Sequence, residues 1–169
     1  MAAGPLRKSP GRLWSGLTVT LPSDREIVLT CVFDAPRRLI FEALSQPEHV
    51  RHWWGLRDHE FTVCDMDLRP GGRWRFVQRG PDGQEYGFRG EYREIVPPER
   101  VVQTFEFEGM PGHISVETMT LVEEDGKTIW TTRSVFASVQ DRDGMLRSGM
   151  EAGARETMER LAEYVEELS

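Results

Sequence analysis

The sequence predicts an α+β fold in which a curved antiparallel sheet of about seven strands wraps one long C-terminal helix, with two short helices after the first strand. Three observations predict it. Strand-like runs follow one another at hairpin spacing between residues 60 and 136, each gap carrying turn chemistry. Residues 141–168 repeat apolar side chains every three or four positions, the signature of a single helical stripe. Between them, alternation within the strands leaves one face aromatic and the other charged, as expected when only one side of a sheet is covered.

Residues 1–16 hold Gly4, Pro5, Pro10, Gly11 and Gly16 without periodicity and are expected to be a flexible tail, with the folded domain spanning 17–169. An extended segment from Leu17 to Phe33 is interrupted at Pro22-Ser23-Asp24, and its β-branched run Ile27–Phe33 suits a buried strand. Asp34-Ala35-Pro36 then starts a helix carrying Leu39, Ile40, Ala43 and Leu44 on one stripe. Pro47 opens a second short helix ending at Trp53-Trp54-Gly55.

The strands that follow are expected at Glu60–Met66, Arg73–Gln78, Glu85–Val96, Arg100–Glu108, Ile114–Glu123 and Thr128–Phe136. The short links make sequential strands antiparallel neighbours. Period-two alternation puts Trp74, Phe76 and Gln78 on one face, with Phe88, Gly90 and Tyr92, Phe105 and Phe107, Met119 and Leu121, and Trp130, Thr132 and Ser134. In the last segment Leu146, Met150, Ala154, Met158, Leu161, Val165 and Leu168 form the apolar stripe, and Gly149 and Gly153 lie one turn apart on what reads as one helix. Periodicity alone leaves open whether the aromatic face encloses a pocket or packs solid.

Composition narrows the function classes. The 169 residues carry a net charge of −7, a poor match to phosphate backbones or anionic lipid, so neither nucleic acid nor a membrane is an expected partner. No apolar run is long enough to span a bilayer, and the N-terminus lacks a signal-peptide core, so a cytoplasmic location is expected. Cys31 and Cys64 form no metal-ligand spacing and are read as buried reduced thiols. His49 and His52 stand three apart, a spacing compatible with metal binding. No carboxylate or cysteine completes a site, so they are read as a solvated helix face, and no metal or cofactor is expected. Pro70-Gly71-Gly72 is a turn rather than a phosphate loop. No nucleophile–base arrangement is visible, and no catalytic residue is assigned. Gln78, Tyr92, Gln103, Thr132 and Ser134 are the inward polar groups available to orient a ligand.

Five stretches together resemble a known family: TVTLPSDREIVLTCVFDAP (18–36), PEHVRHWWG (47–55), DLRPGGRWRF (67–76), FRGEYREIVPPERVVQTFEF (88–107) and GMEAGARETMERLAEYV (149–165). In this order they are similar to the bacterial branch of the AHSA1 (activator of Hsp90 ATPase homologue) family of the START/Bet v 1-like SRPBCC superfamily. The resemblance implies a helix-grip fold with a tunnel between sheet and helix, used across the superfamily for lipids, sterols and polyketides. It favours the pocket over a solid core and does not name the ligand. The expected function is therefore binding of a small hydrophobic or aromatic molecule. The expected lining is Trp53, Trp54, Trp74, Phe76, Phe88, Tyr92, Phe105, Phe107, Met119, Trp130, Met150 and Ala154. The family often has an aromatic where Ala154 stands, which implies a wider pocket, and a charge where Cys31 stands, which implies a drier strand. A polyketide cyclase or aromatase-like enzyme is the alternative, and a chaperone ATPase activator ranks last, since the activators resembled carry an additional N-terminal domain. A homodimer is left open.

Overall fold

The computed structural model describes residues 13–168; of the tail expected at 1–16, residues 1–12 lie outside the described residues. The elements run β1 (Leu13–Thr20), β2 (Glu26–Phe33), α1 (Arg37–Ser45), α2 (Pro47–Val50), β3 (Glu60–Met66), β4 (Arg73–Arg79), β5 (Glu85–Val96), β6 (Arg100–Phe107), β7 (Ile114–Glu124), β8 (Lys127–Val135), α3 (Val139–Arg147) and α4 (Met150–Leu168). β1 starts inside the segment expected as a tail, so its pairing with β2 adds a strand at the sheet edge.

All eight strands form one antiparallel sheet in the order β1-β2-β8-β7-β6-β5-β4-β3. β3 to β8 are a plain meander, and β2 closes on β8 through an unbroken register from Glu26↔Val135 to Phe33↔Thr128. Register shifts between Phe61 and Val63 and between Tyr92 and Glu94 mark bulges, which bend the strands and curve the sheet.

α1 buries Leu39, Ile40, Phe41, Ala43 and Leu44. It is entered through extended Pro36 and held by the Arg37 backbone N–H, which donates to Glu123 Oε1 at 2.8 Å. Pro47 opens α2, which ends at Val50; the chain from Arg51 to Gly55 continues as turns rather than as helix.

The C-terminal segment is two helices, where the sequence reads as one. Gly149 stands between them with φ +84°, a left-handed conformation that interrupts α-helical hydrogen bonding. Leu146 and Met150 stay in helical phase across that residue, so the apolar stripe does not register the break. α4 is the long helix of the fold. Its second half buries Leu161, Ala162 and Val165, while α3 buries no residue.

Candidate functional site

The pairings order the concave face into rows that cross the sheet. Phe76, Phe88 and Phe107 form one row. Trp74, Gly90, Phe105 and Ser115 form the next, and Tyr92, Gln103, Glu117, Ser134 and Ile27 the one after it. Val101, Met119, Thr132 and Leu29 follow, and Leu121, Trp130 and Cys31 form a further row. The rows differ in how well they are covered. Leu121, Trp130 and Cys31 are fully buried, beneath the same core that holds α1 and the second half of α4. Phe88, Gln103, Phe105, Phe107, Glu117, Met119 and Ser134 remain only half-buried. One end of the concave face is sealed and the other is not.

The aromatic residues divide in the same way. Trp54, Phe76, Phe88, Phe105, Phe107 and Trp74 make a continuous chain of ring contacts. Trp54 meets Phe76 and Phe88 edge-on, both at 5.1 Å. Phe88 lies 5.3 Å from Phe107 and 5.8 Å from Phe105, and Trp74 lies 4.9 Å from Phe76. Trp53 and Trp130 face the sealed end. Trp53 donates its Nε1–H to the Ala43 carbonyl at 3.0 Å and meets Trp130 edge-on at 6.5 Å. Trp130 in turn donates to Thr132 Oγ1 at 2.6 Å. The adjacent indoles 53 and 54 thus do different work, one bonded into the core and the other half-buried in the ring chain. Tyr92 is buried, and that burial raises its phenol well above the usual range. From α4, Ala154 and Met158 pack against the core, and Met150 at the helix start is half-buried.

Trp74 reaches its place because residue 90 is glycine. A Cβ there would stand 2.0 Å from the Thr104 carbonyl and 2.4 Å from Trp74 Nε1, so only a bare backbone lets the indole lie across β5. Its Nε1 is buried without a hydrogen-bond partner among the described residues.

Sequence reasoning missed Glu117. The residue shares the parity of Met119 and Leu121 and therefore the concave face, a signal already present in the alternation of β7. Gln103 donates its Nε2–H to Glu117 Oε1 at 3.4 Å, and burial pushes the carboxyl up to about 7.

The helical side holds Trp54 by its backbone. Gln78 Nε2 donates to the Trp54 carbonyl at 3.0 Å, Arg160 to the carbonyls of His52 and Gly55, both at 3.0 Å, and Thr157 to that of Gly55 at 3.1 Å. The two histidines are not simply a solvated face. His49 Nδ1 hydrogen-bonds the Tyr164 hydroxyl at 2.6 Å, and His52 stacks on the same ring at 5.2 Å, so both dock α4. A surface cleft of about 300 Å³ lies beside them, lined by His52, Arg57, Arg160, Glu163, Tyr164 and Glu167. It is polar and lies apart from the aromatic chain. Both cysteines are free; burial pushes the Cys31 thiol up to about 12, which leaves it unreactive. No group of metal-ligating side chains occurs among the described residues, and no described helix is long and apolar enough to cross a membrane.

α3 is tied to two loops of the sheet. His113 Nδ1, in the loop before β7, hydrogen-bonds Asp141 Oδ1 at 2.7 Å, and Arg142 Nη1 donates to the Ser23 carbonyl in the β1–β2 loop at 2.8 Å. α3 buries no residue fully, and Met145 and Leu146 are half-buried.

A family model described as Activator of Hsp90 ATPase homolog 1-like protein matches residues 34–166. Among solved structures, protein Ms6760 from Mycobacterium smegmatis is 28% identical, with a TM-score of 0.78 over 87% of this chain and 95% of its own. A Rhodobacter sphaeroides protein superposes with a TM-score of 0.82 at 23% identity, over 88% and 96% of the two chains. The AHSA1 protein from Silicibacter pomeroyi does so at 0.70 and 21%, over 85% and 99%. No curated protein matches.

Proposed function

The chain belongs to the Activator of Hsp90 ATPase homolog 1-like family, and from that premise we propose that it binds a small hydrophobic or aromatic molecule between the concave face of its sheet and its C-terminal helices. One observation carries this reading. The ring chain through Trp54, Phe88, Phe105 and Phe107 is left only half-covered, while the row of Leu121, Trp130 and Cys31 at the other end of the same face is buried. Apolar surface left in contact with water costs about 25 cal/mol per Å², so an apolar occupant there is favoured.

In this reading Trp54, Trp74, Phe76, Phe88, Phe105, Phe107 and Met119 line the sheet side, and Met150 and Ala154 face them from α4. Trp53, Tyr92 and Trp130 form the closed floor. The same reading makes the protein a cytoplasmic carrier or sensor whose partner is the small molecule itself.

Titration with Nile red, a neutral dye whose emission shifts blue in apolar surroundings, tests it. The expected result is saturable 1:1 binding that apolar aromatic compounds compete away, with a co-purifying small molecule visible by native mass spectrometry. A linear, non-competable signal together with a bare protein mass would refute the reading.

A further inference from the structure

Glu117 distinguishes the candidate site from a purely greasy one. Three acids on the convex side have arginines: Glu106 meets Arg89 at 2.8 Å, Glu108 meets Arg75 at 2.9 Å and Glu26 meets Arg133 at 2.7 Å. Glu117 faces the concave side, forms no ion pair among the described residues, and accepts one long hydrogen bond from Gln103. A carboxylate withdrawn from water without a counter-ion is costly, and a threonine or valine would suit the strand better. An acid retained there has its charge unanswered by the protein.

We propose that Glu117, oriented by Gln103, is the polar anchor of the concave site, and that the ligand carries a protonated amine on an apolar or aromatic body. This rests on the binding function proposed above. The surroundings suit such a head group. Met119 lies two residues along β7, and Phe105 lies diagonally across on β6, within the distance over which large side chains interact. An aromatic ring face attracts a cation, and a carboxylate–ammonium contact is a charge-assisted hydrogen bond, about twice as strong as a neutral one. A net charge of −7 favours the approach of cations and disfavours anions. The raised carboxyl is what an acid awaiting its counter-ion shows: bringing in an ammonium group returns it to the ionised form.

Three probes with one apolar body separate the possibilities: 2-naphthylmethylamine, 2-naphthalenemethanol and 2-naphthoate, each measured by displacement of Nile red. On the native protein the amine is expected to bind tightest and the carboxylate weakest. Glu117→Gln is expected to weaken the amine by about ten- to a hundredfold and to leave the alcohol within about threefold. Equal binding of all three probes, or an amine preference that survives Glu117→Gln, would refute the anchor while leaving an apolar site standing. Failure of Nile red and of every probe would instead remove the binding function itself. The ranking is read on the native protein, so the inference can fail without any variant.

Discussion

At the residue scale, Glu117 makes a prediction about stability that needs no ligand. Its carboxyl is pushed up to about 7 in the folded protein from an ordinary 4.5, burial being the largest cause. Between those two values the unfolded chain ionises while the folded protein keeps its proton. Stability is therefore fully present below pH 4.5, falls as pH rises to about 7, and is level above it. The fall is worth at most about 3 kcal/mol. Glu117→Gln removes it. In urea denaturation the variant should gain about 2 kcal/mol on the native protein between pH 5 and pH 8. Parallel pH profiles would show a carboxyl that stays solvated. The residue was legible in principle, by counting two back from Met119. It was overlooked because a single acid in a Thr- and Glu-rich strand resembles the acids of the solvated face, and no motif surrounds it.

At the element scale, β3 to β8 were legible because turn residues, chiefly Gly, Pro and Asp, fix their limits within a residue or so, whereas the start of β1 lies in the Gly- and Pro-containing stretch expected as tail. The break at Gly149 was not, since hydrophobic period reports which side chains share a face and is silent about φ. That break gives α3 its independence. A helix without a buried side chain, pinned by a histidine–aspartate contact and an arginine–carbonyl bond and only half-covered at Met145 and Leu146, opens at low cost. Hydrogen exchange should show α3 amides exchanging far faster than those around Leu161 and Val165. His113→Ala should accelerate α3 further while moving global stability by less than about 1 kcal/mol, and bound Nile red should slow it. Uniform protection across α3 and α4 would mean that the strap is part of the core.

At the scale of the whole molecule, one sheet is covered unequally at its two ends. That β3 to β8 neighbour one another in sequence, and which face is aromatic, followed from turn spacing and alternation; the pairing of β2 with β8 did not. The division of that face into sealed and unsealed ends did not, because it depends on where α4 crosses the sheet and where Gly149 ends its neighbour, both matters of tertiary geometry. Two substitutions in α4 test the division, Leu161→Ala in the sealed half and Ala154→Trp toward the unsealed half. Leu161 is 0% exposed, so truncation leaves a cavity in close-packed surroundings and should cost about 2–5 kcal/mol. Under conditions where the variant stays folded, its affinity for Nile red should be unchanged. Ala154→Trp should do the reverse. A large side chain that enters unfilled space gains buried area at about 25 cal/mol per Å², so urea stability should hold or rise while dye affinity falls. If α4 instead packs solidly on the sheet along its whole length, the added ring overpacks the interior and costs about 1–3 kcal/mol. Loss of stability in Ala154→Trp with dye binding intact would therefore place the aromatic chain in a continuous core and move the functional surface elsewhere on the molecule.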